Sequence, residues 1–211
     1  MLASTLDAKP FREVLMDDAG AKKYATVDDL VGLADNACVD LINGEIQPRF
    51  EPSYEHESAI LATASDLLLR FNRTQRPDGT GGWWINTNVH VEFGYDVLCP
   101  DILGWRRHRV PQRPSGFPVR IRPDWVCEVT VSTLRKDTVD VPRILHAAEV
   151  PWYWRIDVPS ANVLVFEWTD KGYVLKHSLF REDGKVRIPP FEATQLEIGV
   201  LLGDDPSDEE I

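Results

Sequence analysis

Apolar and polar positions divide the chain into segments of helical and of strand character. From Ser53, Ile60, Leu61, Ala64, Leu67, Leu68 and Phe71 recur at three- and four-residue spacing, which predicts the longest helix of the chain. Ser53 caps its start and "RPDGTGG" ends it. Upstream, "TVDDLVGLAD" opens on a threonine with acids in its first turn and predicts a short helix. "ACVDLINGEIQPRF" predicts a hairpin that turns at Asn43-Gly44, a dipeptide suited to two residues of positive φ.

Three strand candidates follow the long helix: "WWINTNVHVEF", "DVLCPDILGW" and "DWVCEVTVS". A helix is expected over 136–148, starting late or kinked because Pro142 lies near its first turn. "VPWYWRIDV" reads as another strand, and "NVLVFEW" with "GYVLKHSLF" as a closing meander. There is no internal repeat and no linker. The expectation is one α/β domain over 26–200, preceded by an arm at 1–25 and followed by an acidic tail at 201–211.

Composition narrows the classes. With 43% hydrophobic residues, seven Trp and eight Phe, the 211-residue chain has the material for a packed core. No apolar run approaches the roughly 18 to 20 residues of a membrane span, and the N-terminal stretch does not read as a signal peptide. Cys38, Cys99 and Cys127 have no CxxC spacing, so free thiols in a cytoplasmic protein are expected and zinc is not. A formal charge of −11 argues against a generic nucleic-acid coat protein. That balance hides a basic stretch: residues 102–123 contain no acid but hold Arg106, Arg107, Arg109, Arg113, Arg120 and Arg122.

The candidate chemistry starts from "RPDWVCEVTVST", where Glu128 interrupts a run with the pattern of a buried strand. A buried carboxylate is costly unless it is compensated. Asp101 stands in a similar apolar setting on the preceding strand, behind Pro100, which removes a ladder donor and suggests an edge or bulge. If the two strands are neighbours the carboxylates converge, and a hard cation such as Mg²⁺ or Mn²⁺ turns their repulsion into binding. Such an ion would activate water and stabilise charge on a phosphate oxygen. Arg106, Arg107 and Arg109 are expected at the same end of the sheet as contacts to nucleic-acid phosphate.

"PD" at 100–101 and "EVT" at 128–130, in helix–strand–strand–strand–helix–strand order, resemble the PD-(D/E)XK nuclease superfamily. More specifically, "VDLINGEI", "YEHESAILATASDLL", "CPDILGW", "PDWVCEVTVST" and "EVPWYWRIDV" are similar to the Uma-two family of restriction endonucleases, over about residues 25–170. The resemblance implies a restriction-endonuclease-like fold, a central mixed sheet flanked by helices, with an N-terminal hairpin and a C-terminal meander. It implies Asp101 and Glu128 as metal ligands, with the Val129 carbonyl as a third. The nuclease pattern places a lysine two residues after the glutamate, and here that position is Thr130. Relatives supply a lysine from the following helix, where Val141 occupies the slot; Lys136 and Arg143 are the nearest basic residues. Of these Lys136 is the candidate, because arginine is a poor base.

Glu45 lies in the family-like "INGEI" and is a further candidate, against the alternative of a solvent-facing hairpin acid. His56 is read as a structural contact at the helix start, and Trp152, Tyr153 and Trp154 as core. The expected function is metal-dependent hydrolysis of phosphodiester bonds in nucleic acid, DNA in the first place, by a homodimer. A nuclease fold that has lost catalysis and acts as a binding module is the alternative, and a hydrolase of small phosphoesters a more distant one.

Overall fold

The computed structural model describes residues 24–31, 33, 39–48, 53–131 and 136–205, excluding the side chains of Lys136 and Asp137. In chain order the elements are α1 (Val27–Val31), β1 (Val39–Ile42), β2 (Glu45–Pro48), α2 (Tyr54–Phe71), β3 (Trp83–Thr87), β4 (Val91–Phe93), β5 (Asp96–Leu98), β6 (Ile102–Arg106) and β7 (Trp125–Thr130). A π-helical turn, Lys136–Asp140, leads into α3 (Val141–Ala147). Then come β8 (Trp152–Asp157), β9 (Asn162–Thr169), β10 (Gly172–Phe180), β11 (Lys185–Val186), β12 (Leu196–Glu197) and α4 (Ile198–Leu201).

The main sheet has six strands in the order β10-β9-β8-β7-β6-β3 and is mixed, with only β7 and β8 parallel. A second sheet, β2-β1-β5-β4, is antiparallel. Two of the predicted strands are each divided between these sheets. "WWINTNVHVEF" breaks at Asn88, whose φ of 53° is left-handed, and its halves become β3 and β4. "DVLCPDILGW" breaks at Cys99–Asp101, where Pro100 cannot donate to a ladder, and its halves become β5 and β6. Such breaks are invisible to hydrophobic periodicity, because both halves of each run remain apolar.

The β1–β2 hairpin turns at Asn43 (φ 52°) and Gly44 (φ 73°), the two positive-φ positions that its register, Ile42 against Glu45, demands. Ser53 caps α2 by accepting the His56 N–H at 3.3 Å, and Ala59, Ile60, Thr63, Ala64, Leu67 and Phe71 form its buried face. The π-helical turn ahead of Pro142 is the displaced helix start that the proline requires.

Alternation along the strands separates two cores. Trp125, Cys127, Val129, Trp154 and Ile156 pack toward α2 and α4. Val126, Leu103 and Tyr153 face the other way, against Ile42, Leu98 and the α3 residues Val141, Ile144 and Leu145. Tyr153 and Trp154 are thus core residues on opposite faces. Gly104 passes between two indoles: a Cβ there would lie 3.2 Å from Trp83 and 3.4 Å from Trp125. The packed chain extends past residue 200, since Leu201 and Leu202 are buried and Asp204 pairs with Arg181 at 2.6 Å. The expected arm lies outside the described residues apart from Tyr24 and Ala25, and so does the tail from residue 206.

The expectation of free thiols is corrected. Cys99 is disulfide-bonded and only Cys127 is a free, buried thiol among the described residues. Sequence spacing could not reveal a pairing that depends on how the chain folds back. Among the described residues no helix is long and apolar enough to cross a membrane.

Candidate active site

β6 and β7 pair antiparallel at Gly104–Trp125, Leu103–Val126 and Ile102–Cys127, and there the ladder stops. One further step of the same register sets Asp101 opposite Glu128, and the next sets Pro100 opposite Val129. Pro100 has no N–H to give to β7. Its carbonyl is turned elsewhere and accepts the Asn88 N–H at 3.2 Å. The Val129 N–H, left without its ladder acceptor, donates instead to Asp101 Oδ2 at 2.7 Å. In an extended strand the N–H and C=O of one residue point to the same side. The Val129 carbonyl therefore also points toward the Asp101 side of the break, where Pro100 supplies no donor.

Asp101 and Glu128 thus come opposite each other in register, and both are buried: Asp101 is 0% and Glu128 7% exposed. Their joint charge is felt by the Cys127 thiol. Burial first, then Asp101, then Glu128 push its pKa well above the ordinary range, so the sulfur stays a neutral thiol.

His56, at the start of α2, lies beside Asp101. Its Nε2 lies 3.7 Å from Asp101 Oδ2, while Nδ1 is 3.3 Å from Glu57 Oε1. The Ser53 cap fixes the first turn of α2 and aims the ring at the end of β6. A second residue that the pattern hid is Asp40. It is 3% exposed, and its Oδ1 accepts the Cys99 N–H at 2.7 Å, two residues before Asp101. The signal existed in "CVDLI", an acid in an apolar run like Glu128 itself.

Glu45 sits at the other end of that hairpin. It pairs with Ile42 beside the turn, whose Asn43 N–H is held by Asp96 at the start of β5, whereas Asp40 meets Cys99 beyond the end of β5. The hairpin acid bonded to the segment that leads into Asp101 is thus Asp40. Thr130 is 7% exposed, and its hydroxyl is 3.4 Å from the Ile156 carbonyl. The slot that carries lysine in the nuclease pattern is therefore folded into the sheet without a charge. Lys136 opens the π-helical turn, and its side chain lies outside the described residues.

The arginines are placed differently from expectation. Arg106 ends β6, and the loop after it joins that end to the start of β7, whereas Asp101 and Glu128 lie at the opposite end. Asp101 and Arg106 are five residue steps apart along the chain, about 17 Å at the usual strand rise. The side chains are also engaged in the fold. The Arg106 guanidinium lies 4.5 Å from the Trp83 ring centroid and that of Arg107 3.6 Å from Trp84. Arg107 Nε donates to the Trp83 carbonyl at 2.8 Å, and Arg109 Nε pairs with the buried Asp124 at 2.7 Å. The expectation of Arg106, Arg107 and Arg109 at the acidic site is corrected: an antiparallel β6–β7 pair sends its connecting loop to the end away from the acids.

The donor set fits a hard cation. Two buried carboxylates and a backbone carbonyl belong to one broken ladder, and oxygen donors of this kind are what Mg²⁺ accepts while retaining water. Among the described residues no group of three or more His, Cys, Asp or Glu side chains is arranged as a metal site.

The model of the Uma2 family, described as "Putative restriction endonuclease", matches residues 28–200. Among solved structures the chain is similar to a protein from Anabaena variabilis ATCC 29413, described as a "putative nuclease belonging to DUF820". The TM-score is 0.66 at 18% identity, over 84% of this chain and 97% of that one. No curated protein matches.

Proposed function

The chain belongs to the Uma2 family of restriction endonucleases, and from that premise we propose that it hydrolyses phosphodiester bonds in duplex DNA with Mg²⁺ or Mn²⁺ held by Asp101, Glu128 and the Val129 carbonyl. The observation that carries this reading is the broken β6–β7 ladder, where the register sets the buried Asp101 opposite the buried Glu128 and the Val129 N–H turns to Asp101. When bound, such an ion supplies a water of lowered pKa and neutralises charge on phosphate oxygen.

The protein's own contribution is positioning. Asp101 is locked by the Val129 N–H on Oδ2, which fixes the carboxylate plane. Glu128 is set by six residues of parallel pairing with β8. His56, 15% exposed at its side chain, closes the α2 side of Asp101. The active unit is proposed to be a homodimer, because one such site cuts one strand and duplex cleavage takes two.

Plasmid cleavage in Mg²⁺ and in Mn²⁺ tests the reading. Wild type nicks or linearises the plasmid and Glu128→Gln does not; equal cleavage by the two proteins would sink it. A second reading is favoured by one observation, the uncharged Thr130 in the lysine slot. It is a nuclease fold that binds nucleic acid without cutting, and duplex binding by a wild type that cuts in neither metal would select it.

A further inference from the structure

Asp101, Glu128 and Arg155 stand in one row across three strands. The register that pairs Ile102 with Cys127 carries Asp101 opposite Glu128, and Glu128 is paired with Arg155 on the parallel strand β8. The face is fixed by the residues two positions earlier: Val126 and Tyr153 both belong to the core beneath α3, so Glu128 and Arg155 project to that same side. Adjacent strands are about 4.8 Å apart, well within the reach of an arginine.

Arg155 nevertheless leaves part of its guanidinium unsatisfied. Its Nε is buried and has no hydrogen-bond partner among the described residues. A buried donor of a charged group without an acceptor carries its whole desolvation cost. An acceptor brought by a ligand removes that cost, and the planar guanidinium fork matches a phosphate's oxygens.

Resting on the nuclease reading, we propose that Arg155 contacts a non-bridging oxygen of the scissile phosphate and supplies the positive charge that Thr130 does not. Arginine stays protonated throughout the working range, so it takes no proton from water. It holds the phosphate against the two acids and offsets the charge that develops on its oxygens. The row then divides the work: Asp101 and Glu128 serve the cation, and Arg155 serves the substrate anion.

Duplex binding by fluorescence anisotropy across a salt series tests this, with every protein in the Glu128→Gln background so that the probe remains uncut. Arg155→Met is expected to weaken binding about tenfold and to reduce the salt slope by about 0.9, the loss of one phosphate contact. Arg155→Lys is expected to keep the slope and lose part of the affinity. Unchanged affinity and slope in Arg155→Met overturns the inference; should Arg155→Met not fold, full wild-type affinity in Arg155→Lys overturns it. A parent protein that binds no duplex counts against the nuclease reading alone. Inorganic phosphate then decides on Arg155: it should raise the melting temperature of wild type more than that of Arg155→Met or Arg155→Lys, and equal shifts overturn the proposal.

Discussion

Asp101 Oδ2 accepts the backbone N–H of Val129 at 2.7 Å, doing for β7 what a ladder carbonyl would have done had Pro100 not ended the pairing. That carboxylate closes a sheet defect, and the proposed function gives its second oxygen a further duty as a metal ligand. The duties can be separated by substitution. Asp101→Ala leaves a buried N–H unpaired and is expected to cost about 1–3 kcal/mol. Asp101→Asn retains an oxygen acceptor and should recover most of that stability in urea denaturation, yet remain as inactive as Asp101→Ala in plasmid cleavage. Recovery of cleavage by Asp101→Asn would contradict the ligand role.

If Glu128 and Asp101 hold a divalent ion as proposed, stability is expected to depend on metal. Without a divalent ion the two carboxylates repel, and Glu128→Gln removes that repulsion, so the variant should melt at or above the wild-type temperature. With Mn²⁺ the order should reverse: an ion that binds only the folded state stabilises by about 2.7 kcal/mol at a hundredfold excess over its Kd. Scanning calorimetry of both proteins with and without Mn²⁺ reads the crossover. Parallel shifts in the two proteins would remove Glu128 from the ligand set.

Arg109 is expected to matter for stability and hardly at all for DNA. Its Nε pairs with Asp124 at 2.7 Å, and Asp124 is 5% exposed while also accepting the Arg106 N–H at 2.7 Å. Arg109→Ala leaves that carboxylate buried with one partner fewer. The pair is partly solvated on the arginine side, which reduces the loss to about 1–3 kcal/mol. The salt slope of duplex binding should be unchanged, and a fall of one unit would return Arg109 to the phosphate contacts.

The site's acids were legible because a charge in an apolar run is an anomaly in a single sequence, and Asp101 and Glu128 both show it. Their convergence depended only on β6 and β7 being neighbours, which short-range connection favours. The arginines misled because composition gives no direction: the antiparallel turn that brings Asp101 to Glu128 sends the intervening loop the other way. His56 and Arg155 were beyond reach for a different reason. Each acquires its place through a partner from another element, respectively Asp101 and Glu128, and neither leaves a mark in its own segment beyond an ordinary polar residue. Asp40 did leave a mark, an acid in an apolar run, but its bond to the Cys99 N–H did not show. The split of two apolar runs between two sheets was equally hidden, since the break rests on one left-handed Asn88 and one donorless Pro100.

Tyr173 ties β10 to the connection between α3 and β8 by donating its hydroxyl to the Val150 carbonyl at 2.8 Å. Burial pushes its pKa well above the ordinary tyrosine value, with Arg122 opposing weakly. An acid whose folded pKa is raised is deprotonated first in the unfolded chain. Its contribution is therefore complete below about pH 10 and is lost as pH rises beyond the unfolded value. Tyr173→Phe should lower stability at pH 8 by about 1 kcal/mol and flatten the alkaline decline above pH 10. Urea midpoints at the two pH values give the comparison, and an equal decline in both proteins would show that another group controls it.

Thr130 is where the fold and the chemistry part company. Its side chain is buried and makes one long contact, 3.4 Å, to the Ile156 carbonyl, while its own carbonyl takes the Val158 N–H at 3.0 Å. A hydroxyl so placed holds no charge and faces backbone, so it has nothing to give to a water or a phosphate. Thr130→Val keeps the shape and removes only that weak bond; stability should change by less than about 1 kcal/mol and cleavage by less than twofold. Thr130→Lys is the opposite experiment. The slot is 7% exposed, so an ammonium forced into it must either reach the acids or remain desolvated. In the first case cleavage rises above wild type despite a lower melting temperature; in the second, both fall. A rise would show that the acidic site is intact and lacks only a stronger cation, whereas a fall alongside an active wild type places the working charge elsewhere on the same face, where Arg155 stands beside Glu128.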